Sequence, residues 1–331
     1  MPDLLSLTHV SKSRRDQPVV HDISFTLPRF RKLAIAGVTG SGKSTVLKMI
    51  GGLEQPDAGT ILFEGKKVKG PLEVLIPGTP GTAYLSQHFE LRNHYRMEEL
   101  LDMANRLTGA EAAAIVELCR VGHLMKRKSD QLSGGEKQRI ALACCLVTGP
   151  SLLLLDEPFS NMDAIHRSML KSVIEEVGAQ LGTTMILVSH DPADILSWAD
   201  EIIVMQEGRI VQQGAPAQLY HRPQSEYVAG LLGSYNLLPA GYAPGLAKLA
   251  GIPARGRKKL FIRPEDLSPV PEAEQADFTG WIEQVYYFGS HYELAVRTGN
   301  ARLLVRLQDT DDAQTGTKIH LSARPGSVGS L

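Results

Sequence analysis

The 331-residue chain is poor in several features that would assign it to a class at once. It has three cysteines, Cys119, Cys144 and Cys145, two of them adjacent inside an apolar run. That number cannot build a disulfide framework, and the reading it supports is small core residues in a reducing compartment. Charge of one sign is also missing: 35 Lys+Arg face 36 Asp+Glu, for a formal net charge of -1. Without a basic surplus, neither nucleic acid nor an anionic membrane is expected as the main partner. Long apolar runs are absent too. The longest candidate, Ile140 to Leu155, is interrupted at Gly149–Pro150 and runs into Asp156–Glu157, short of the roughly 20 residues a spanning helix needs. The first residues, MPDLLSLTHVSKSRR, hold no apolar core of the kind a secretory leader carries. Any membrane role is therefore expected to come through a partner chain.

What is present is enough apolar residue, 43%, to bury two cores, and the length suggests about two domains. Residues 4–36 read as strands, closed by a Gly-rich turn. KSTVLKMI (43–50) reads as a helix stopped by Gly51–Gly52. TILFEGKKV and TAYLSQ read as strands with a Pro/Gly loop between them. Residues 97–118 read as helical, because Met97, Leu100, Leu101, Ala104 and Leu107 keep one apolar stripe. Helices over 135–147 and 164–180 alternate with strands at 152–155, 185–189 and 201–205. This is the pattern of a mostly parallel sheet covered on both faces. From about 235 the texture changes to Gly, Pro and Ala, read as linker and loops. Short strand-like runs then recur every 8–12 residues or so, as in a small all-β barrel or sandwich. The basic runs 126–128 and 255–259 read as solvated faces.

Three motifs carry chemistry. GVTGSGKST, Gly37 to Thr45, has the spacing G-x-x-x-x-G-K-[ST]. A glycine turn (Gly37, Gly40, Gly42, with Ser41) lets successive backbone N–H groups converge on polyphosphate oxygens. The helix that follows adds its positive end, Lys43 bridges phosphate oxygens, and Ser44 and Thr45 supply hydroxyls, Ser44 toward Mg2+. SLLLLDEP runs an apolar strand to its carboxyl end, where Asp156 can hold Mg2+ or its water and Glu157 can orient an attacking water. LSGGEKQR (132–139) places Ser133, Gly134 and Gly135 before a helix, a second anion site in a chain that already has one.

The string LSGGEKQR resembles the signature of ATP-binding cassette (ABC) ATPases, and the other elements of that family follow in order. Gln87 in YLSQ resembles the Q-loop glutamine, with a place near the metal. Ser160 to Asp163 resembles the D-loop, and His190 in ILVSHD the switch histidine. The resemblance covers residues 4 to about 235. It implies an α/β phosphate-loop fold with a mostly parallel sheet and a helical subdomain at about 90–135. It also implies ATP and Mg2+ as cofactors, with Glu157, His190 and Gln87 catalytic. The signature of one subunit would meet the γ-phosphate held by the other, so a homodimer or paired ABC ATPase is expected. FIRPEDL (261–267) and GWIEQVYYFGSHYELAVRTG (280–299) resemble the TOBE segment, an OB-like β domain appended to importer ATPases. The domains expected are thus 1–235 and 236–331.

The whole would be the ATP-hydrolysing subunit of an ABC transporter, an importer first, bound to integral membrane permease subunits and served by a substrate-binding protein. It would sit in the cytoplasm against the inner face of the membrane. An exporter ATPase, a soluble ABC ATPase acting on DNA or ribosomes, and a regulatory module with little turnover are the competing readings. The single cassette, the lack of basic surplus and Glu157 weigh against the last two. Three departures from the family stand out. No aromatic occupies SKSRRDQ, where adenine would stack, leaving Arg14 or Arg15 as planar substitutes. Arg92 and Asn93 stand where importers show an aromatic and a proline, so Arg92, Phe89 or Tyr95 would meet the permease. The stretch from Gln87 to Leu132 is short. His88 and His94 read as surface residues.

Overall fold

The computed structural model describes residues 3–15, 17–87, 91–92, 94–160, 162–249, 258–309 and 313–331. His88, Phe89, Asn93, Asn161 and residues 255–257 of the basic run lie outside the described residues. The chain forms two compact units, Met1–Pro216 and Ala217–Leu331.

The first unit begins with β1 (Asp3–Arg14), β2 (Gln17–Pro28), β3 (Lys32–Ala36) and α1 (Lys43–Ile50). After them come β4 (Ala58–Phe63), β5 (Lys66–Lys67) and β6 (Thr82–Leu85). The run TILFEGKKV, expected as one strand, is thus a hairpin. Glu64 and Gly65 adopt φ 50° and 73°, the paired left-handed residues of a tight two-residue turn. Next are α2 (Met97–Ala104) and α3 (Gly109–Leu118). The single helix expected over 97–118 is broken, because Thr108 caps α3 and exchanges bonds with Glu111 in a capping box. That local chemistry starts a new helix although the apolar stripe runs on. Then follow α4 (Gly134–Leu146), β7 (Leu152–Asp156), α5 (Ala164–Leu181), β8 (Thr184–Ser189), α6 (Pro192–Ile195), β9 (Glu201–Gln206) and β10 (Arg209–Gly214).

β2-β1-β4-β5 make an antiparallel sheet, and β10-β9-β3-β8-β7-β6 a second sheet. Within the second, β9, β3, β8, β7 and β6 run parallel, and only β10 pairs antiparallel. β7 and β8 are buried at every position, which is why they read as unbroken apolar runs rather than alternating ones. One core joins both sheets to α1, whose Val46, Leu47, Met49 and Ile50 are fully buried. Each such side chain contributes about 1.5–3 kcal/mol, so α1 is held rigidly by its apolar face.

The second unit carries α7 (Pro216–His221), α8 (Glu226–Leu232), β11 (Asn236–Pro239), α9 (Pro244–Leu249) and β12 (Lys259–Ile262). β13 (Leu267–Pro269), β14 (Phe278–Tyr287), β15 (Tyr292–Thr298), β16 (Ala301–Leu307), β17 (Lys318–Ala323) and β18 (Gly329–Ser330) complete it. β11-β12-β18 and β13-β17-β14-β15-β16 form two sheets with antiparallel pairings. The stretch expected as linker is ordered from 236 to 249, because Leu238, Ala240, Ala243, Leu246 and Ala247 enter the core of this unit.

α7, α8 and β12 are joined by Arg263, whose side chain is completely buried. Its guanidinium donates to the carbonyls of Tyr220, Ala229, Gly233 and Ser234 and stacks 3.9 Å above the Tyr220 ring. Burial pulls its pKa below the ordinary arginine value. The charge is retained because oriented carbonyl dipoles replace water around it.

Candidate nucleotide site

Parallel register builds the site. Ala36 of β3 lies level with Ser189 of β8, Asp156 of β7 with Val188, and Leu85 of β6 with Leu155. The carboxyl ends of four strands therefore coincide. Asp156 at the end of β7 and the residues just beyond the strands, Gly37, Glu157, His190 and Gln87, arrive at one edge, where ligands of open α/β sheets bind.

The loop from Gly37 to Gly42 wraps the start of α1. Gly42 caps the helix at φ 98°, and a Cβ there would stand 2.6 Å from the carbonyl oxygen of Val19. Both conformation and space thus demand glycine. Lys43 is 4% exposed. Its Nζ donates to the carbonyls of Gly37 and Val38 at 2.7 and 2.8 Å and to Ser41 Oγ at 3.3 Å. Burial lowers its pKa, and the carboxylates of Glu157 and Asp156 push the other way. Arg14, Gly40, Lys43, Ser44, Thr45 and Gln87 line one cleft with Glu157.

Ser44 Oγ donates to Asp156 Oδ1 at 2.7 Å, and Tyr84 Oη donates to Asp156 Oδ2 at 2.6 Å. The Tyr84 hydroxyl is pushed well above the ordinary phenol range, by burial and then by that carboxylate. Ser44 and Asp156 present two hard oxygens side by side. That fits Mg2+, which takes one or two protein oxygens and completes its shell with phosphate and water. No cluster of three or more metal-binding His, Cys, Asp or Glu side chains exists among the described residues.

Glu157 has φ 45°, a left-handed conformation that costs a non-glycine residue about 1 kcal/mol and turns the carboxylate out of the strand. Its Oε2 lies 3.4 Å from Gln87 Nε2 and 3.3 Å from His190 Nδ1. The three residues expected to be catalytic therefore converge on one oxygen.

Ser133, Gly134 and Gly135 do not join that cleft. With Gln87, Ser160, Asp163 and His166 they line a second one. Ser133 Oγ caps α4 by accepting from the N–H of Glu136, while the N–H of Ser133 donates to Glu136 Oε2. That backbone hydrogen bond lowers the Glu136 pKa. Gly135 must be glycine for a different reason: a Cβ would stand 2.6 Å from the His166 ring. Asp163 caps α5, accepting from the N–H groups of Ile165 and His166, and its other oxygen meets His166 Nδ1 at 2.6 Å.

Of the two arginines expected near the base, Arg14 lines the cleft of Lys43 and Ser44, and one edge of its guanidinium, Nε and Nη2, donates to the two oxygens of Glu54 at 3.1 and 2.6 Å. Arg15 is exposed, in a turn at φ 50°. Arg92, His94 and Tyr95 are exposed. Cys119 is buried, Cys144 and Cys145 half-buried. Burial raises all three thiols, to about 12, 11 and 12, which leaves them unreactive at neutral pH.

Sequence reasoning missed Tyr84, Glu54, Arg167 and Asp194. Tyr84 had a usable signal, three positions before Gln87 on the strand that leads to it. The others sit in helices and loops where charged residues are ordinary.

Residues 20–160 match the ABC transporter family and residues 260–329 the TOBE domain. The Fe(3+) ions import ATP-binding protein FbpC of Pseudomonas fluorescens is 37% identical, over 80% of this chain and 78% of its own. Its counterpart FbpC 2 from Pectobacterium atrosepticum is 35% identical over 90% of each. The spermidine/putrescine import ATP-binding protein PotA of Desulfitobacterium hafniense is 29% identical over 98% of this chain and 97% of its own. Among solved structures, cbiO1 of Clostridium perfringens, part of the ABC transporter complex cbiONQ, matches with a TM-score of 0.58 and 25% identity. That match covers 66% of this chain and 91% of cbiO1. An ATP-binding cassette in its ADP conformation shares the fold at a TM-score of 0.59 and 20% identity, over 69% of this chain and 98% of its own. With the phosphate loop, the acidic strand end and the signature helix placed as above, this chain belongs to the ATP-binding proteins of ABC transporters.

Proposed function

We propose that the protein is the ATP-hydrolysing subunit of an ABC importer, acting as a dimer on membrane permease subunits. The observation that carries the hydrolytic reading is the meeting of Glu157, Gln87 and His190 beside the Ser44–Asp156 pair. Import is supported by the relatives, whose names describe import of Fe(3+) or of spermidine and putrescine.

In this reading the Gly37–Gly42 loop and the start of α1 hold the β- and γ-phosphates through backbone N–H groups, and Lys43 exchanges its loop carbonyls for phosphate oxygens. Ser44 and Asp156, with Gln87 nearby, would hold Mg2+, whose charge would offset the negative charge of the phosphates. Glu157 accepts hydrogen bonds from the attacking water and orients it. Gln87 and His190 fix the Glu157 carboxylate, and His190 also faces the γ-phosphate. Arg14, held flat by Glu54, offers a planar face to the base.

The second cleft, with Ser133, Gly134, Gly135 and Asp163, receives the nucleotide of the other subunit. Two subunits arranged head to tail then enclose two nucleotides. Closing and reopening that dimer would drive the permease, which docks around Arg92, Tyr95 and the helical segment, with a substrate-binding protein delivering the cargo. The protein then works in the cytoplasm against the membrane. No helix among the described residues is long and apolar enough to cross one.

Glu157→Gln tests the reading. The amide keeps the shape and loses the charge that orders the water, so ATP binding persists while steady-state hydrolysis falls about 10²–10⁴-fold. Light scattering in ATP and Mg2+ should then show a stable dimer. Unchanged turnover would remove Glu157 from the mechanism, and a monomer at saturating ATP would count against the head-to-tail arrangement.

A further inference from the structure

We propose that Arg167 is a positioning residue for His190, tying the start of α5 to the loop that carries the histidine. Arg167 stands one helical turn after the α5 cap Asp163, and its N–H donates to the Asp163 carbonyl. Its guanidinium crosses to the segment after β8 and grips two carboxylates. Nη2 donates to Asp191 Oδ2, while Nη2 and Nε both donate to Asp194 Oδ1, at 2.6 and 3.2 Å. Asp194 is 4% exposed. It also takes Lys171 Nζ at 2.7 Å on Oδ1 and Ser189 Oγ at 2.9 Å on Oδ2. Ser189 in turn accepts the N–H of Asp191 at 3.1 Å. Both neighbours of His190 are therefore fastened to the same group.

The cluster holds two cations and two carboxylates, so its charge is balanced, and the pairing with Arg167 and Lys171 offsets part of the cost of burying Asp194. Burial works to raise the Asp191 carboxyl, but the hydrogen bonds from Arg167 and the Ala193 N–H outweigh it and leave it below the ordinary carboxylate range. The geometry has a direction. Ser160, Met162, Arg167, His190 and Glu157 line one cavity, and Asp163 lines the cleft of Ser133–Gly135. A displacement of Ser160, Met162 and Asp163, when a second subunit fills that cleft, reaches Arg167 within one turn of α5 and His190 through two carboxylates. Arg167 touches no reacting atom; it sets where His190 stands relative to Glu157.

The proposal rests on the catalytic reading of His190, and a double-mutant cycle separates the two. His190→Ala lowers kcat about 10²-fold. Arg167→Ala lowers kcat about tenfold or more, as small displacements of catalytic groups do, with the ATP dissociation constant unchanged within about twofold. The double variant is no worse than His190→Ala alone, because Arg167 has nothing left to position. Arg167→Lys recovers part of the loss. Asp191→Asn, which leaves an oxygen to cap α6 and removes only the charge facing Arg167, repeats the loss and its non-additivity without disturbing buried Asp194. It decides the matter should Arg167→Ala not fold. Full kcat in both Arg167→Ala and Asp191→Asn, or losses that multiply with that of His190→Ala, would overturn the role of Arg167 while leaving His190 in place. Native turnover in His190→Ala would overturn both.

Discussion

Lys43→Met isolates the charge proposed to bind phosphate, since methionine keeps the stem and deletes the ammonium. That ammonium donates to the carbonyls of Gly37 and Val38 and to Ser41 Oγ, at the mouth of the loop. A hydrogen bond to a charged group contributes about 1.5–3 kcal/mol, and the variant should bind ATP roughly 10- to 150-fold more weakly. The pH dependence is more diagnostic. Burial depresses the Lys43 pKa in the free protein, while phosphate oxygens favour the protonated form in the complex. Between those two values the free protein has lost a proton that the complex retains. Binding there takes up a proton, and affinity falls as pH rises, by up to about tenfold (about 1.4 kcal/mol) per pH unit. Titration calorimetry in buffers of different ionisation heat, over a series of rising pH values, should detect proton uptake that grows with pH and none in Lys43→Met. Proton uptake that survives in the variant, or native affinity in it, would refute the assignment.

Ser133→Arg should bind ATP normally yet stay monomeric in ATP and Mg2+, whereas Ser133→Asn, which preserves the cap on α4, should dimerise; dimerisation of the arginine variant by light scattering would refute the composite site. Arg263→Leu should lower stability by about 3 kcal/mol or more, because the carbonyls of Tyr220, Ala229, Gly233 and Ser234 lose a buried donor. Urea unfolding that shows a loss below about 1 kcal/mol would contradict that weight.

The parts of the site legible in the sequence are those whose geometry is set by neighbours in the chain. GVTGSGKST and LLLLDE each place their chemistry at a strand end, and a parallel sheet brings strand ends together whatever lies between them. Knowing that Gly37, Asp156, Gln87 and His190 follow strands is therefore enough to predict that they meet. The capping box of Thr108 and Glu111 that starts α3 is equally local, three residues apart in the chain.

What stayed hidden are pairs whose members carry no pattern of their own. Arg14 could be named as a substitute for an aromatic, but not that Glu54, forty residues on, would pair with one edge of its guanidinium. Tyr84 reads as one more β-forming aromatic until its hydroxyl is seen on Asp156. Arg263 reads as a surface charge in FIRPEDL until four carbonyls from α7, α8 and the turn after it close around it. Arg167 and Asp194 are the sharpest case. A helix of a soluble protein carries charges on its solvent face by default, so an arginine in the first turns of α5 has an ordinary explanation in sequence. Only the burial of Asp194 removes that explanation, since a carboxylate 4% exposed must be paired. The choice of partner then fixes the loop between Ser189 and Asp191 and, with it, the distance from His190 to Glu157.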